Sequence, residues 1–335
     1  MNASDWLNAL KTAPKKQAIP ILSFPSVSLL GINVQELIQS DELQARGMKE
    51  ISQRVPSGAS VSMMDLSVEA EAFGSAVRFD PMEVPAVMNI IVHNEAEARA
   101  LEVPPVGAGR TGLYIEAIKN AAQLIQDRPV FAGMIGPFSL SGRLLGVSET
   151  LLYCYDDPEL VELVMEKATR FLTEYALAYK QTGALGVVIA EPLTGLLSPA
   201  LAEEVSHPFV KKIIKAVQDE NFIVVYHNCG DSASKMVESL VKLGARAYHF
   251  GNKANMLEVM RQLPPEIIGM GNVDPSSQFR NGTPQSIYES TTNLLRACGQ
   301  YRNFVPSSGC DIPPATPWEN IESFFAAVED FYKTI

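Results

Sequence analysis

Apolar residues fall along the chain in two alternating patterns. Short, nearly continuous apolar runs rich in Val and Ile, bounded by turn residues, occur at residues 19–24, 59–65, 130–136, 185–191, 222–227, 245–250, 267–271 and 303–307. Unbroken runs of this length predict strands buried on both faces, as in a parallel sheet. Between most of them, apolar positions recur at helical spacing. The clearest stripe is Leu160, Val161, Val164, Met165, Ala168, Phe171, Leu172 and Tyr175, which predicts one long helix over Pro158–Lys180. Helices are also predicted over residues 111–126, 200–219, 232–243, 256–263, 284–297 and 317–333. Gly244 and Gly299 stand where helix C-caps belong.

Eight strands alternating with helices predict an α/β chain folded as a (β/α)₈ TIM barrel, a single domain over residues 1–335. A doubly wound open sheet is the alternative. No Gly-rich dinucleotide fingerprint follows the first strand, which counts against its nucleotide-binding form. Residues 66–127 are too many for one crossover. Their middle, residues 73–89, holds short extended pieces around Pro81 and Pro85, and an inserted hairpin or lid is expected there.

Charge and cysteine content narrow the function. With 27 Lys+Arg against 38 Asp+Glu, the net charge is −11, which repels phosphate backbones and excludes nucleic acid as the expected partner. Four cysteines in 335 residues do not make a disulfide framework. Sparse thiols fit a reducing cytoplasm, where they serve as core residues or metal ligands. Lys15 and Lys16 precede an apolar stretch, in the order of a signal peptide, but Pro20 and Pro25 interrupt it. No run reaches the ~18 apolar residues of a membrane span, so no membrane partner is expected.

The sharpest chemical feature is Tyr226-His227-Asn228-Cys229-Gly230-Asp231, at the end of the fifth predicted strand. Residues two apart on a strand face the same way, so His227 and Cys229 can aim an imidazole and a thiolate at one point. Alone, the pair also reads as a hydrogen-bonded histidine and a small core thiol. A third donor, Cys310, follows the last strand in Pro306-Ser307-Ser308-Gly309-Cys310-Asp311. In a barrel both motifs lie at the C-terminal rim, where active sites are built. One His and two Cys suit zinc, with the fourth position left for water or substrate. Asp65, Glu191, Asn272 and Asp274 end other strands at the same rim, and His249 ends the sixth strand. Each of these also fits turn chemistry or a structural hydrogen bond. Gly107-Ala108-Gly109-Arg110-Thr111-Gly112 precedes a helix but lacks the Lys of a phosphate loop, and reads as a plain loop. Cys154 and Cys298 fall in predicted helices and read as core.

These residues carry a resemblance. Met64-Asp65-Leu66-Ser67-Val68-Glu69 and the residues to Gly74, Gly136-Pro137-Phe138, Ala190-Glu191-Pro192, His227-Asn228-Cys229-Gly230, Gly271-Asn272-Val273-Asp274-Pro275 and Ser308-Gly309-Cys310 resemble the uroporphyrinogen decarboxylase superfamily over nearly the whole chain. The chain is most similar to its methylcobalamin:coenzyme M methyltransferase branch. That resemblance implies the barrel fold and a zinc site at His227, Cys229 and Cys310. It implies methyl transfer from a methylated corrinoid, such as methylcobalamin on a separate carrier protein, to a small-molecule acceptor. The acceptor is a thiol such as coenzyme M, or another small molecule such as tetrahydrofolate. Glu191 would complete the zinc shell or accept the thiol proton. Asn272, Asp274 and His249 are the expected cofactor contacts. Asp65 matches the catalytic aspartate of the decarboxylases, so a carboxy-lyase acting on a porphyrinogen is the alternative activity. The decarboxylases' N-terminal arginine motif is missing, because no Lys or Arg lies between Lys16 and Arg46. A third possibility is a tetrapyrrole-binding barrel without chemistry. Either a monomer or a homodimer is compatible with the resemblance.

Overall fold

The computed structural model describes residues 2–333. Its strands, numbered in chain order, are β1 (Ser60–Val61), β2 (Val77–Arg78), β3 (Ala86–Val87), β4 (Val130–Ile135), β5 (Gly186–Ala190), β6 (Ile223–Asn228), β7 (Ala247–Phe250), β8 (Ile268–Val273) and β9 (Phe304–Ser308). Seven of them form one parallel sheet in the order β1-β4-β5-β6-β7-β8-β9. Each neighbour follows its predecessor in the chain, with helices in the crossovers. Strands buried on both faces need this layering. The remaining pair, β2 and β3, is an antiparallel hairpin within the long interval after β1.

Seven strands, not the expected eight, join the sheet. The first apolar run, at residues 19–24, contains no assigned strand, yet it is bonded to β9, and the residue just before it is bonded to the segment leading into β1. Ile19 N–H donates to Pro306 O at 2.9 Å, and Gly58 N–H donates to Ala18 O at 2.9 Å. Proline chemistry explains the missing ladder. Pro20 has no N–H to give, and the Ile21 N–H goes to the Ser308 hydroxyl at 3.1 Å, not to a backbone carbonyl.

Alternation along the strands sorts the core into two layers. Val61, Phe131, Val188, Val225, Ala247, Ile268, Met270 and Val305 turn inward and form one apolar cluster with Ile19, Ile21 and Trp6. Residues from both edge strands share this cluster, so the sheet is curled. The N-terminal helix Ala3–Thr12 supplies Trp6, whose ring lies 5.1 Å from that of Phe131. The opposite strand faces pack against the helices in a second, larger cluster.

The predicted long helix forms over Pro158–Lys180, and all eight residues of its stripe are buried. Asp157 caps it by accepting the Leu160 N–H, and Pro158 occupies the first turn, where its missing donor is harmless. Burial of each large side chain in that stripe contributes roughly 1.5–3 kcal/mol. The helix predicted over residues 200–219 is two, Pro199–Val205 and His207–Val217, because Pro208 starts a new first turn. The segment 232–243 resolves into a 3₁₀ turn, Ala233–Lys235, and a short helix, Val237–Val241. Cys154 and Cys298 are both buried. No helix among the described residues is long and apolar enough to cross a membrane.

Candidate metal centre

The C-terminal ends of β5 to β9 converge on one rim. His227 lies in β6 and Cys229 one residue beyond it, so strand alternation turns both side chains the same way. Cys310 follows β9. One ring nitrogen of His227 and the Sγ atoms of Cys229 and Cys310 all lie within 4.8 Å of one another. His227 is buried, and both cysteines are partly so.

Glycine lets the rim loops come this close. A Cβ on Gly251 would sit 2.5 Å from Cys229 Cα, and one on Gly309 would sit 2.6 Å from the Asn252 nitrogen. Asn228 shapes the exit from β6 by accepting the Gly230 N–H at 2.9 Å.

Electrostatics at the pair of thiols are asymmetric. The Cys310 thiol beside Cys229 lowers the Cys229 pKa, while burial opposes this. Cys310 is pushed up to about 12, first by its bond to Cys229 and then by burial, with His227 pulling the other way. One thiol thus steadies the other's thiolate. His227 Nε2 is buried and has no hydrogen-bond partner. An orphaned imidazole nitrogen beside two sulfurs fits a divalent ion of intermediate softness such as zinc.

The other predicted site residues spend their polar atoms on protein. His249 is buried between His227 and Ser307. Asn272 Nδ2 donates to Gly251 O and Ala254 O at 2.9 and 2.7 Å, holding the loop after β7. Asp274 accepts the Ser276 and Ser277 N–H groups and the Asn252 amide, which caps the turn Pro275–Arg280. Glu191 is fully buried at the N-terminus of the helix Pro137–Leu145. It accepts from the Phe138 N–H at 2.9 Å, the Ser139 N–H at 3.0 Å, the Ser139 hydroxyl at 2.7 Å and the Thr194 hydroxyl at 3.2 Å. Burial raises its pKa to about 7, and these bonds oppose the rise.

A cleft of about 480 Å³ opens beside the thiols, lined by Ser139, Arg143, Leu193, Cys229, Lys253 and Cys310 among others. Arg143 was not singled out from the sequence. Burial alone lowers its pKa, with no carboxylate raising it.

A family model described as uroporphyrinogen decarboxylase (URO-D) matches residues 16–331. The chain belongs to the URO-D family. The methylcobamide:CoM methyltransferase MtbA of Methanosarcina acetivorans is 26% identical over 271 residues, covering 80% of this chain and 78% of that one. The uroporphyrinogen decarboxylase of Coxiella burnetii is 24% identical over 312 residues, covering 89% and 84%. A solved methyltransferase from Methanosarcina mazei superposes over 99% of both chains with a TM-score of 0.86 at 23% identity.

Within this URO-D chain, Asp65 sits away from open solvent in an ion-pair network. Its carboxylate accepts from Arg110 Nη1 at 2.5 Å, the Tyr114 hydroxyl at 2.7 Å and the Ser67 hydroxyl at 2.6 Å. Arg110 also bonds Glu71 at 2.6 Å. The loop read as plain therefore carries the counter-ion of Asp65, and only the lone charge among glycines hinted at it. Glu69 lies close by, fully buried. Its Oε1 accepts the Ile135 N–H at 3.0 Å, and its Oε2 has no partner. Burial raises the Glu69 pKa to about 8. Its contribution to stability is complete below the usual carboxylate range and is lost as the pH rises through about 8. Unfolding free energies from urea titrations should therefore fall more steeply with pH for the parent than for Glu69→Gln in this window, by up to about 1.4 kcal/mol per pH unit. Parallel profiles would show that Glu69 does not take up a proton on folding.

Proposed function

We propose that the chain is a zinc-dependent methyltransferase. It moves a methyl group from a methylated corrinoid, presented by a carrier protein, to a small thiol acceptor. The observation that carries this reading is the convergence of His227, Cys229 and Cys310 beside an open cleft. The 26% identity to a methylcobamide:CoM methyltransferase supports it. The engagement of Asp65 with Arg110 and Tyr114 favours it over decarboxylation.

His227, Cys229 and Cys310 would hold the zinc. Bound there, zinc supplies the Lewis acidity that lets the acceptor sulfur exist as a thiolate near neutral pH. The cleft walls orient that sulfur and limit water around it. A methylated corrinoid would serve as the donor substrate, giving up its methyl carbon to that sulfur and keeping the electron pair of the bond to cobalt. Glu191 positions Ser139 on the cleft wall through their 2.7 Å bond, in place of the ligand or base roles first considered. Arg143 lines the cleft, which also holds Asp231 and Lys253, and makes no ion pair among the described residues, so it pairs with an anionic group on the acceptor.

The same reading takes residues 1–335 as one barrel domain, with residues 18–22 in the eighth position and the β2–β3 hairpin as a lid. It places the protein, as a monomer or homodimer, in the cytoplasm, consistent with its four free cysteines.

The test is single-turnover transfer from methylcobalamin to coenzyme M and to neutral 2-mercaptoethanol. Methyl thioether and demethylated corrinoid are expected in equal amounts. Zinc-loaded protein that yields neither with any thiol would sink the proposal. Arg143→Leu should raise KM for the anionic thiol about 10–100-fold, the worth of one charge-assisted bond, with little change for the neutral one. Equal effects on both thiols would remove Arg143 from acceptor recognition.

A further inference from the structure

Hydrogen-bond directions beneath the metal centre are fixed by one hydroxyl. Ser307 has a single hydroxyl proton, and it goes to the Ile19 carbonyl at 2.7 Å. Toward His249 Nε2, 2.8 Å away, Ser307 Oγ is therefore an acceptor, and Nε2 carries the proton. His249 Nδ1 lies 2.8 Å from His227 Nδ1. Two ring nitrogens at that distance share one proton, so one of them presents a lone pair. A doubly protonated His249 would be a buried cation, and none of its ring neighbours, His227, Ser307 and the Ser308 backbone, is a carboxylate that could offset it. His249 Nδ1 is thus the lone pair, and His227 Nδ1 the donor. The His249 carbonyl, 3.2 Å from the same nitrogen, reinforces that assignment. With its proton on Nδ1, His227 turns the bare lone pair of Nε2 toward the thiols.

We infer that His249 and Ser307, anchored on the Ile19 carbonyl, are positioning residues that hold His227 in its metal-ligating tautomer. The inference rests on the zinc reading of the site, and it adds a task for His249 other than contact with a cofactor. The relay Ile19–Ser307–His249–His227 needs no carboxylate, the more usual partner behind a metal-bound histidine. It also ties the irregular segment before β1 directly to the metal ligand.

Two measurements test it. The first uses the reduced, metal-free chain labelled with ¹⁵N in histidine alone, which gives only four ring systems. Two-bond ring correlations should show His227 as the Nδ1–H tautomer and His249 as the Nε2–H tautomer. His227 protonated on Nε2 would overturn the relay. The second compares zinc affinity, by chelator competition, for His249→Phe and His249→Asn. Phe keeps ring volume but offers no acceptor. Asn places a carbonyl oxygen near the position of the lost Nδ1. Affinity should fall about 10–100-fold for Phe and recover for Asn. Equal losses in both variants, or none in the Phe variant, would reduce His249 to packing. If the Phe variant does not fold, the tautomers of the parent decide the matter. A parent that binds no zinc would defeat the zinc reading, while the tautomer measurement would still judge the relay.

Discussion

Cys310→Ser is expected to strip the purified protein of most of its zinc. The parent, prepared without added metal, should carry about one ion per chain. Loss of a residue that merely supports a ligand weakens metal binding about 10–100-fold. Replacing a ligand thiolate with a hydroxyl should cost more than that. Transfer to thiols should disappear with the metal. The fold itself should persist, because Cys310 is only partly buried and lies on a loop after β9. Metal analysis beside a thermal melt separates these outcomes. A Ser variant that keeps its zinc would move the centre away from Cys310. A parent without zinc, even after reduction and incubation with the ion, would remove the mechanism.

The second large effect concerns stability. Arg110→Met should destabilise the protein by about 3–5 kcal/mol, the cost of leaving one partner of a buried pair charged and alone. The Asp65 side chain is fully buried and that of Arg110 is only 9% exposed, so water cannot take over the lost bonds. Arg110 also bonds Ser67 at 2.8 Å and stacks 5.0 Å from the Phe79 ring, which links the segment around the β2–β3 hairpin to the carboxylate. Adding Asp65→Asn should restore much of the loss, because the stranded charge is then gone. Denaturation of the parent, both single variants and the double variant gives the coupling directly. A loss below about 1 kcal/mol would mean that the pair behaves as a surface salt bridge. Zinc content should be unchanged throughout, which keeps this effect apart from that of Cys310.

The convergence of His227, Cys229 and Cys310 was legible in the sequence because its cues are local. His227 and Cys229 stand two apart at a strand end, and Cys310 ends another strand at the same rim once parallel alternation is assumed. The sheet was legible for the same reason, since runs of Val and Ile mark doubly buried strands. The first strand misled because hydrophobicity says nothing of donors: Pro20 and the Ser308 hydroxyl together remove two ladder bonds there. The roles of Arg110, Ser307 and Arg143 were not legible because their meaning lies in contacts between distant segments. Arg110 meets Asp65 and Ser307 meets Ile19 only after the sheet has formed. Glu191, Asn272 and Asp274 were visible as rim residues, but spacing alone did not show that their oxygens and amides are taken up by backbone groups.

The irregular contact of residues 18–22 with β9 has a consequence for motion. Where a ladder is replaced by scattered and side-chain bonds, local opening takes less free energy than in the paired strands beside it. The edge of the sheet at Ile19 is therefore a natural seam, the place where transient fraying and hydrogen exchange should begin. The Ile19 carbonyl is also the last acceptor behind His227. Breathing of the seam and the aim of the imidazole are thereby one coupled equilibrium. An ion that grips His227 would draw the seam shut, because anything that binds only the closed form shifts the balance toward it.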